Sequence, residues 1–172
     1  MIEHIFCCPI YVDKIDLNLL SKTNKIIKRY KNNIVSNVGG YQSPSIKTPE
    51  DLKDLFTQID FKVAQFYKRP LKLQSYWVNK NNKHNYNKPH NHPGCFMSGV
   101  YYVSVPEKSG AITFHAPYSD LVSSFMVEKD FPDLYIIKPK TNMLLLFPSW
   151  LKHSVEMSKS SKPRVSIAFN YS

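Results

Sequence analysis

The sequence predicts a mainly β fold of the α+β class: a jelly-roll, or double-stranded β-helix, barrel of cupin-like type braced by two N-terminal helices. Three observations lead there. Helical periodicity is confined to the first 70 residues, the rest of the chain is cut into short β-type runs by turn residues, and about eight such runs is the jelly-roll number. Helices placed before the strands suit elements that pack on one outer face of a sheet. The expected organisation is one domain over residues 1–172, with 1–70 as the helical part and 71–172 as the barrel. A chain of this length buries a core without disulfides or structural metal.

Residues 3–12 read as a short strand, and 16–32 as a helix in which Leu19, Leu20, Ile26, Ile27 and Tyr30 recur at helical spacing. Gly39-Gly40 breaks the pattern as a turn needing positive φ, and the following Tyr41, Gln42 and Ser43 could lie across the barrel mouth. A second helix is expected from Thr48-Pro49-Glu50-Asp51, with Thr48 as N-cap, Pro49 at the first helical position and acids in the first turn. Leu52, Leu55, Phe56, Ile59, Val63 and Phe66 supply its buried face. The β runs then fall near 71–79, 85–92, 96–105, 110–115, 134–138, 142–147, 152–157 and 164–171. The loops expected at the mouth are 33–48, 80–88 and 116–133.

Composition sets the function classes. Lys plus Arg number 23 against 13 Asp plus Glu, a net charge of +10, yet the cations are scattered among Asn, Ile and Tyr with no recognised module, so nucleic-acid binding is not expected. Three cysteines with Cys7 and Cys8 adjacent make no disulfide framework. Neither a signal peptide nor a membrane span is recognisable, and a cytoplasmic protein is expected.

The densest group of possible metal ligands lies between His84 and Gly94. Residues i and i+2 of a strand point the same way, so His90 and His92 can offer two imidazoles to one ion, and imidazole suits iron, zinc, copper or nickel. His153 opens the seventh predicted strand, which jelly-roll topology places beside the second. On the last strand Arg164, Ser166, Ala168 and Asn170 share one face and Val165, Ile167 and Phe169 the other. Such a polar face lines either solvent or a polar cavity; beside a metal the cavity gains weight, because a guanidinium with a hydroxyl beside it matches a carboxylate. Trp77, Trp150, Phe147 and Tyr101 read as barrel packing, and Cys95, just past the histidine pair, as either a buried small hydrophobe or a thiol open to oxidation beside the metal.

The run His90-Asn91-His92-Pro93, then Ser98-Gly99-Val100-Tyr101-Tyr102-Val103, then Leu144-Leu145-Leu146-Phe147-Pro148-Ser149-Trp150-Leu151 with His153, then Arg164-Val165-Ser166-Ile167-Ala168-Phe169-Asn170, resembles the 2-oxoglutarate/Fe(II) oxygenases related to prolyl 4-hydroxylases. Gly40-Tyr41-Gln42-Ser43 and Trp77-Val78-Asn79 also match, so the collinear resemblance spans about residues 40–171. It implies Fe(II) in a facial set of ligands, with 2-oxoglutarate chelating the metal and O2 taking the last position. The family's His-x-Asp reads here His90-Asn91-His92, so histidine takes the carboxylate's place and the implied ligands are His90, His92 and His153. His115, His84 or Asp120 are alternative third donors.

Arg164 and Ser166 would then hold the distal carboxylate of 2-oxoglutarate, with Asn79 and Tyr102 completing the pocket. The implied reaction decarboxylates 2-oxoglutarate to succinate and CO2 and hydroxylates a C–H bond of a peptide side chain or small metabolite. Two other classes compete. A three-His oxygenase working without 2-oxoglutarate, as in thiol dioxygenases, would use the same histidines but has no need of Arg164 with Ser166. A non-catalytic jelly-roll module would keep the histidines without binding metal.

Overall fold

Period-2 alternation in the C-terminal half sorts the side chains into two separate cores. The structure, a computed structural model, describes residues 8–117 and 133–172. Its elements are β1 (Tyr11–Lys14), α1 (Leu20–Arg29), β2 (Asn37–Val38), β3 (Tyr41–Gln42), α2 (Lys53–Tyr67), β4 (Leu73–Asn81), β5 (Tyr86–His90), β6 (Met97–Ser104), β7 (Ile112–His115), β8 (Leu134–Ile137), β9 (Met143–Pro148), β10 (His153–Val155) and β11 (Arg164–Tyr171). Strands β1-β9-β6-β11-β4-β3 form one antiparallel sheet and β2-β5-β10-β7-β8 the other. This is the double-stranded β-helix expected, with both helices packed on the six-stranded sheet.

On that sheet's outer face Tyr76, Val78, Tyr101, Leu144, Leu146, Val165, Ile167 and Phe169 meet Ile26 of α1 and Leu55, Phe56, Ile59 and Val63 of α2. Residues one step along the same strands point inward: Val100, Tyr102, Leu145 and Phe147 pack with Ile112 and Phe114 of the second sheet. A strand buried on both faces reads as an apolar run, as Leu144-Leu145-Leu146-Phe147 does. The Tyr171 hydroxyl bonds the Asp60 carboxylate at 2.5 Å, tying α2 to the last strand.

Phe169 faces Gly99 in the β11–β6 register. A Cβ at position 99 would overlap the Phe169 ring and stand 2.8 Å from the Leu145 carbonyl oxygen. The Gly99→Ala variant is therefore expected to lose about 1–3 kcal/mol of stability, the usual cost of overpacking a filled core. Urea denaturation checks this, and an unchanged midpoint would show that the ring yields without cost.

Several boundaries differ from expectation. The first strand lies at Tyr11–Lys14 and not over 3–12, of which residues 1–7 are outside the described set. Helix α1 is shorter than 16–32, and Leu20 is an exposed member of it. Thr48 does not cap α2: a 3-10 turn, Glu50–Leu52, precedes the helix and no side chain caps it. Within the predicted 33–48 loop, β2 and β3 add a two-residue edge to each sheet. Their link is Gly39-Gly40, with φ of 64° and 71°, so the expected glycine turn carries the chain from one sheet to the other. Trp150 does not pack in the barrel; it is 52% exposed. Phe147 and Tyr101 are buried as expected.

Candidate functional site

A cavity between the two sheets brings His90, His92, His153, Arg164, Ser166, Asn79 and Tyr102 together. His153 opens β10 and sits opposite His90 at the end of β5, in register across the second sheet. One ring nitrogen from each of the three histidines lies within 4.8 Å of the others. Nε2 of His92 and Nε2 of His153 are 3.3 Å apart. Two imidazole nitrogens about 2.1 Å from one ion, at right angles, stand roughly 3 Å apart, so the pair is close to a metal-ligand spacing.

His92 reaches this position by a different route from the one strand alternation suggests. Strand β5 stops at His90. The His92 N–H donates to the Ser149 carbonyl at 2.9 Å, and the following Pro93 favours an extended backbone at His92. The β5–β10 register also slips between His153↔His90 and Val155↔Asn87, three residues against two. Such a bulge breaks the alternation, and both Asn87 and His90 line the cavity in consequence. Pro89 sits inside it without disturbing the sheet, because β2 pairs only with Tyr86 and Asn87.

Nδ1 of His90 lies 2.7 Å from the Lys88 carbonyl and Nδ1 of His153 3.0 Å from that of Leu151. A carbonyl can only accept, so each Nδ1 carries the proton and each Nε2 keeps a free lone pair. Burial, followed by the neighbouring histidines, holds His153 down at about 3 and His92 at about 4, and burial lowers His90 as well. All three rings are therefore neutral at pH 7, the protonation state a metal ligand needs. Phe147 and Phe114 pack around His153 with ring centroids 4.8 and 6.1 Å away.

Across three neighbouring strands, Asn79 of β4 and Tyr102 of β6 both pair with Ser166 of β11. Arg164 is on the same face of β11 and is 4% exposed. Its guanidinium donates to the Ser109 and Gly110 carbonyls at 2.9 and 3.0 Å, and it has no carboxylate partner among the described residues. Burial lowers its pKa, though a guanidinium stays charged at neutral pH. The Tyr102 hydroxyl, pushed up to about 12 by burial, remains a proton donor. Oδ1 of Asn79 is buried without a hydrogen-bond partner among the described residues.

His115 bonds the Ser154 hydroxyl at 2.9 Å and His84 sits in a turn at φ 68°; neither joins the three-histidine cluster. Asp120 and His4 lie outside the described residues. Cys95 is half-buried, its Sγ 3.0 Å from the His92 carbonyl. Trp77, read from sequence as packing, instead forms part of the cavity wall and stacks on His92. Asn81, Asn87 and Ser36 add a hydrogen-bonded row, Asn81 Nδ2 to Asn87 Oδ1 at 3.2 Å and Asn87 Nδ2 to Ser36 Oγ at 3.1 Å. Alternation along β4 could have found Trp77 and Asn81, since both share the face of Asn79. The bulge hides Asn87.

A family model described as "Putative 2OG-Fe(II) oxygenase" matches residues 75–170, which include every residue of the three-histidine cluster and Arg164. Solved structures share the fold at low sequence identity. HygX from Streptomyces hygroscopicus, solved with nickel, 2-oxoglutarate and hygromycin B bound, is 13% identical with a TM-score of 0.67, over 94% of this chain and 82% of its own. A prolyl hydroxylase from Trichoplax adhaerens, in complex with a hypoxia inducible factor oxygen degradation domain peptide fragment, is 16% identical with a TM-score of 0.63 over the same shares. The viral collagen prolyl hydroxylase of Paramecium Bursaria Chlorella virus-1, as its 2-oxoglutarate complex, is 15% identical with a TM-score of 0.60, over 94% of this chain and 95% of its own. No curated protein matches the chain by sequence.

Proposed function

Because the chain belongs to the 2OG-Fe(II) oxygenase family, we propose that His90, His92 and His153 hold its Fe(II) and that Arg164 and Ser166 seat the distal carboxylate of 2-oxoglutarate. The observation that carries this reading is one cavity containing both three converging neutral imidazoles and a buried guanidinium without a counter-charge among the described residues. A buried, unpaired cation costs several kcal/mol. A carboxylate docking against Arg164 would offset that cost with charge-assisted hydrogen bonds.

The donor set fits the two groups. Three neutral nitrogen donors suit a divalent iron, and the row Asn79–Ser166–Tyr102 offers polar atoms along a path for a dicarboxylate. When bound, iron with 2-oxoglutarate and O2 supplies oxidising power, the co-substrate leaving as succinate and CO2 while one oxygen atom enters a substrate C–H bond. The chain's own part is positional. Carbonyl bonds to Nδ1 aim His90 and His153, Arg164 and the Tyr102 hydroxyl fix the co-substrate's far end, and Val100, Ile112 and Phe147 make part of the wall apolar.

The substrate we propose is a peptide side chain or a small molecule, two kinds represented by the peptide complex of the Trichoplax enzyme and the hygromycin B complex of HygX. No helix among the described residues is long and apolar enough to cross a membrane. A cytoplasmic setting belongs to the same proposal. Calorimetry with Mn(II), an inert surrogate for Fe(II), tests the whole reading: 2-oxoglutarate should bind the Mn(II)-loaded chain and bind the metal-free chain far more weakly. Metal binding without any 2-oxoglutarate binding would favour a three-His oxygenase of another kind, and no metal binding would end the enzymatic reading.

A further inference from the structure

The three histidines of the cluster are not held alike. A metal-binding imidazole is normally oriented by a hydrogen bond to its other nitrogen, which fixes both the tautomer and the ring plane. His90 and His153 have such a bond, each to a backbone carbonyl two residues earlier. The His92 ring has none among the described residues: its single polar contact is Nε2 to Nε2 of His153. Its backbone is secured by the N–H bond to Ser149 and by the Cys95 thiol at its carbonyl, yet neither constrains rotation of the ring. What lies against the ring is the indole of Trp77, with centroids 5.5 Å apart and planes 21° from parallel. The stack leaves the His92 plane within 1° of the His153 plane.

We propose that Trp77 is the positioning residue for His92, doing by aromatic stacking what backbone carbonyls do for the other two ligands. The inference rests on the metal-site reading above and assigns one residue a role within it. Stacking sets the plane of the imidazole and leaves the choice of ring edge to the ion. It also favours the loaded state. Coordination draws charge from the imidazole, and a ring made more positive is held more strongly by the electron-rich indole face. Trp77 is well placed to stay rigid: it lies in the middle of β4, paired in register with Ala168 of β11.

The test uses Ni(II) and the two tryptophans of the chain. In Trp150→Phe the only indole left is Trp77, and Ni(II) should quench its fluorescence in a saturable titration that His92→Ala abolishes. In Trp77→Phe the remaining indole is the exposed Trp150, and quenching should be slight. By calorimetry Trp77→Ala should weaken Ni(II) binding roughly 10–100-fold, the range typical of outer-shell partners, and Trp77→Phe, which keeps an aromatic face, should recover most of it. Thermal midpoints of the metal-free variants separate this from a loss of fold, and the quenching experiment leaves Trp77 itself in place. If the native chain binds Ni(II) and Trp77→Ala binds it equally tightly, or Trp77 is not quenched, the role of Trp77 is wrong and the metal site stands. If the native chain binds no Ni(II), both fall.

Discussion

His153→Ala is expected to lower divalent-metal affinity by more than about 100-fold, beyond the 10–100-fold typical of losing an outer-shell partner, because it takes a donor from the centre of the cluster. His153 is in contact with both other histidines, at ring-centroid distances of 4.4 Å to His90 and 5.1 Å to His92. It is also 5% exposed and wrapped by Phe114 and Phe147, so no solvent ligand replaces it easily. Mn(II) or Ni(II) calorimetry measures the loss, with far-UV circular dichroism confirming that the strands remain. The truncation costs some packing against Phe114 and Phe147, but the ring is neutral and no ion pair among the described residues depends on it, so the fold should survive. A variant that binds metal like the native chain would mean that the ligands lie elsewhere.

Arg164→Ala should weaken 2-oxoglutarate binding to the Mn(II)-loaded chain by at least about 30-fold while leaving the affinity for Mn(II) itself unchanged. Truncating one partner of a buried, hydrogen-bonded charge pair costs about 2–5 kcal/mol, roughly 30- to several-thousand-fold in affinity. Arg164→Lys should rescue little. The guanidinium already spends donors on the Ser109 and Gly110 carbonyls and still has others for a carboxylate, whereas a lysine is a single point charge on a flexible stem. Calorimetry with 2-oxoglutarate on the metal-loaded variants decides it. Unchanged co-substrate affinity would reduce Arg164 to a structural tie between β11 and the β6–β7 turn.

Much of this was legible because the signals were local. Strand β11 falls at the expected 164–171, and its alternation separates Arg164 and Ser166 from Val165, Ile167 and Phe169; alternation alone leaves solvent or a polar cavity open for the first face, and the structure puts it in the cavity and the second in the helix-facing core. Jelly-roll strand order was enough to bring His153 beside His90. What escaped depends on relations between strands. The bulge in β5 that turns both Asn87 and His90 inward arises from pairing with β10, and nothing in Asn87-Lys88-Pro89-His90 announces it. Strands β2 and β3 have two residues each, too few for any periodicity. Thr48 and Pro49 carry a helix-start signature, but the turn that follows them, Glu50–Leu52, is 3-10, and α2 begins only at Lys53. Trp77 is hidden for a different reason: an aromatic on a strand reads as core, and the position of His92, beyond the end of β5, gives the indole a ring to stack on.

His92 and His153 are 61 residues apart in the chain, and between them run β6 to β9. An ion shared by these histidines is therefore also a clasp, closing a long loop that an unfolded chain could not hold at comparable cost. Any ligand confined to the folded state stabilises it by mass action, by about 2.7 kcal/mol at a hundredfold excess over its dissociation constant. If the three histidines hold the ion as proposed, metal supply and conformational stability would be linked in this protein, and a cell that starved the site of its ion would weaken the barrel along with the chemistry it would carry.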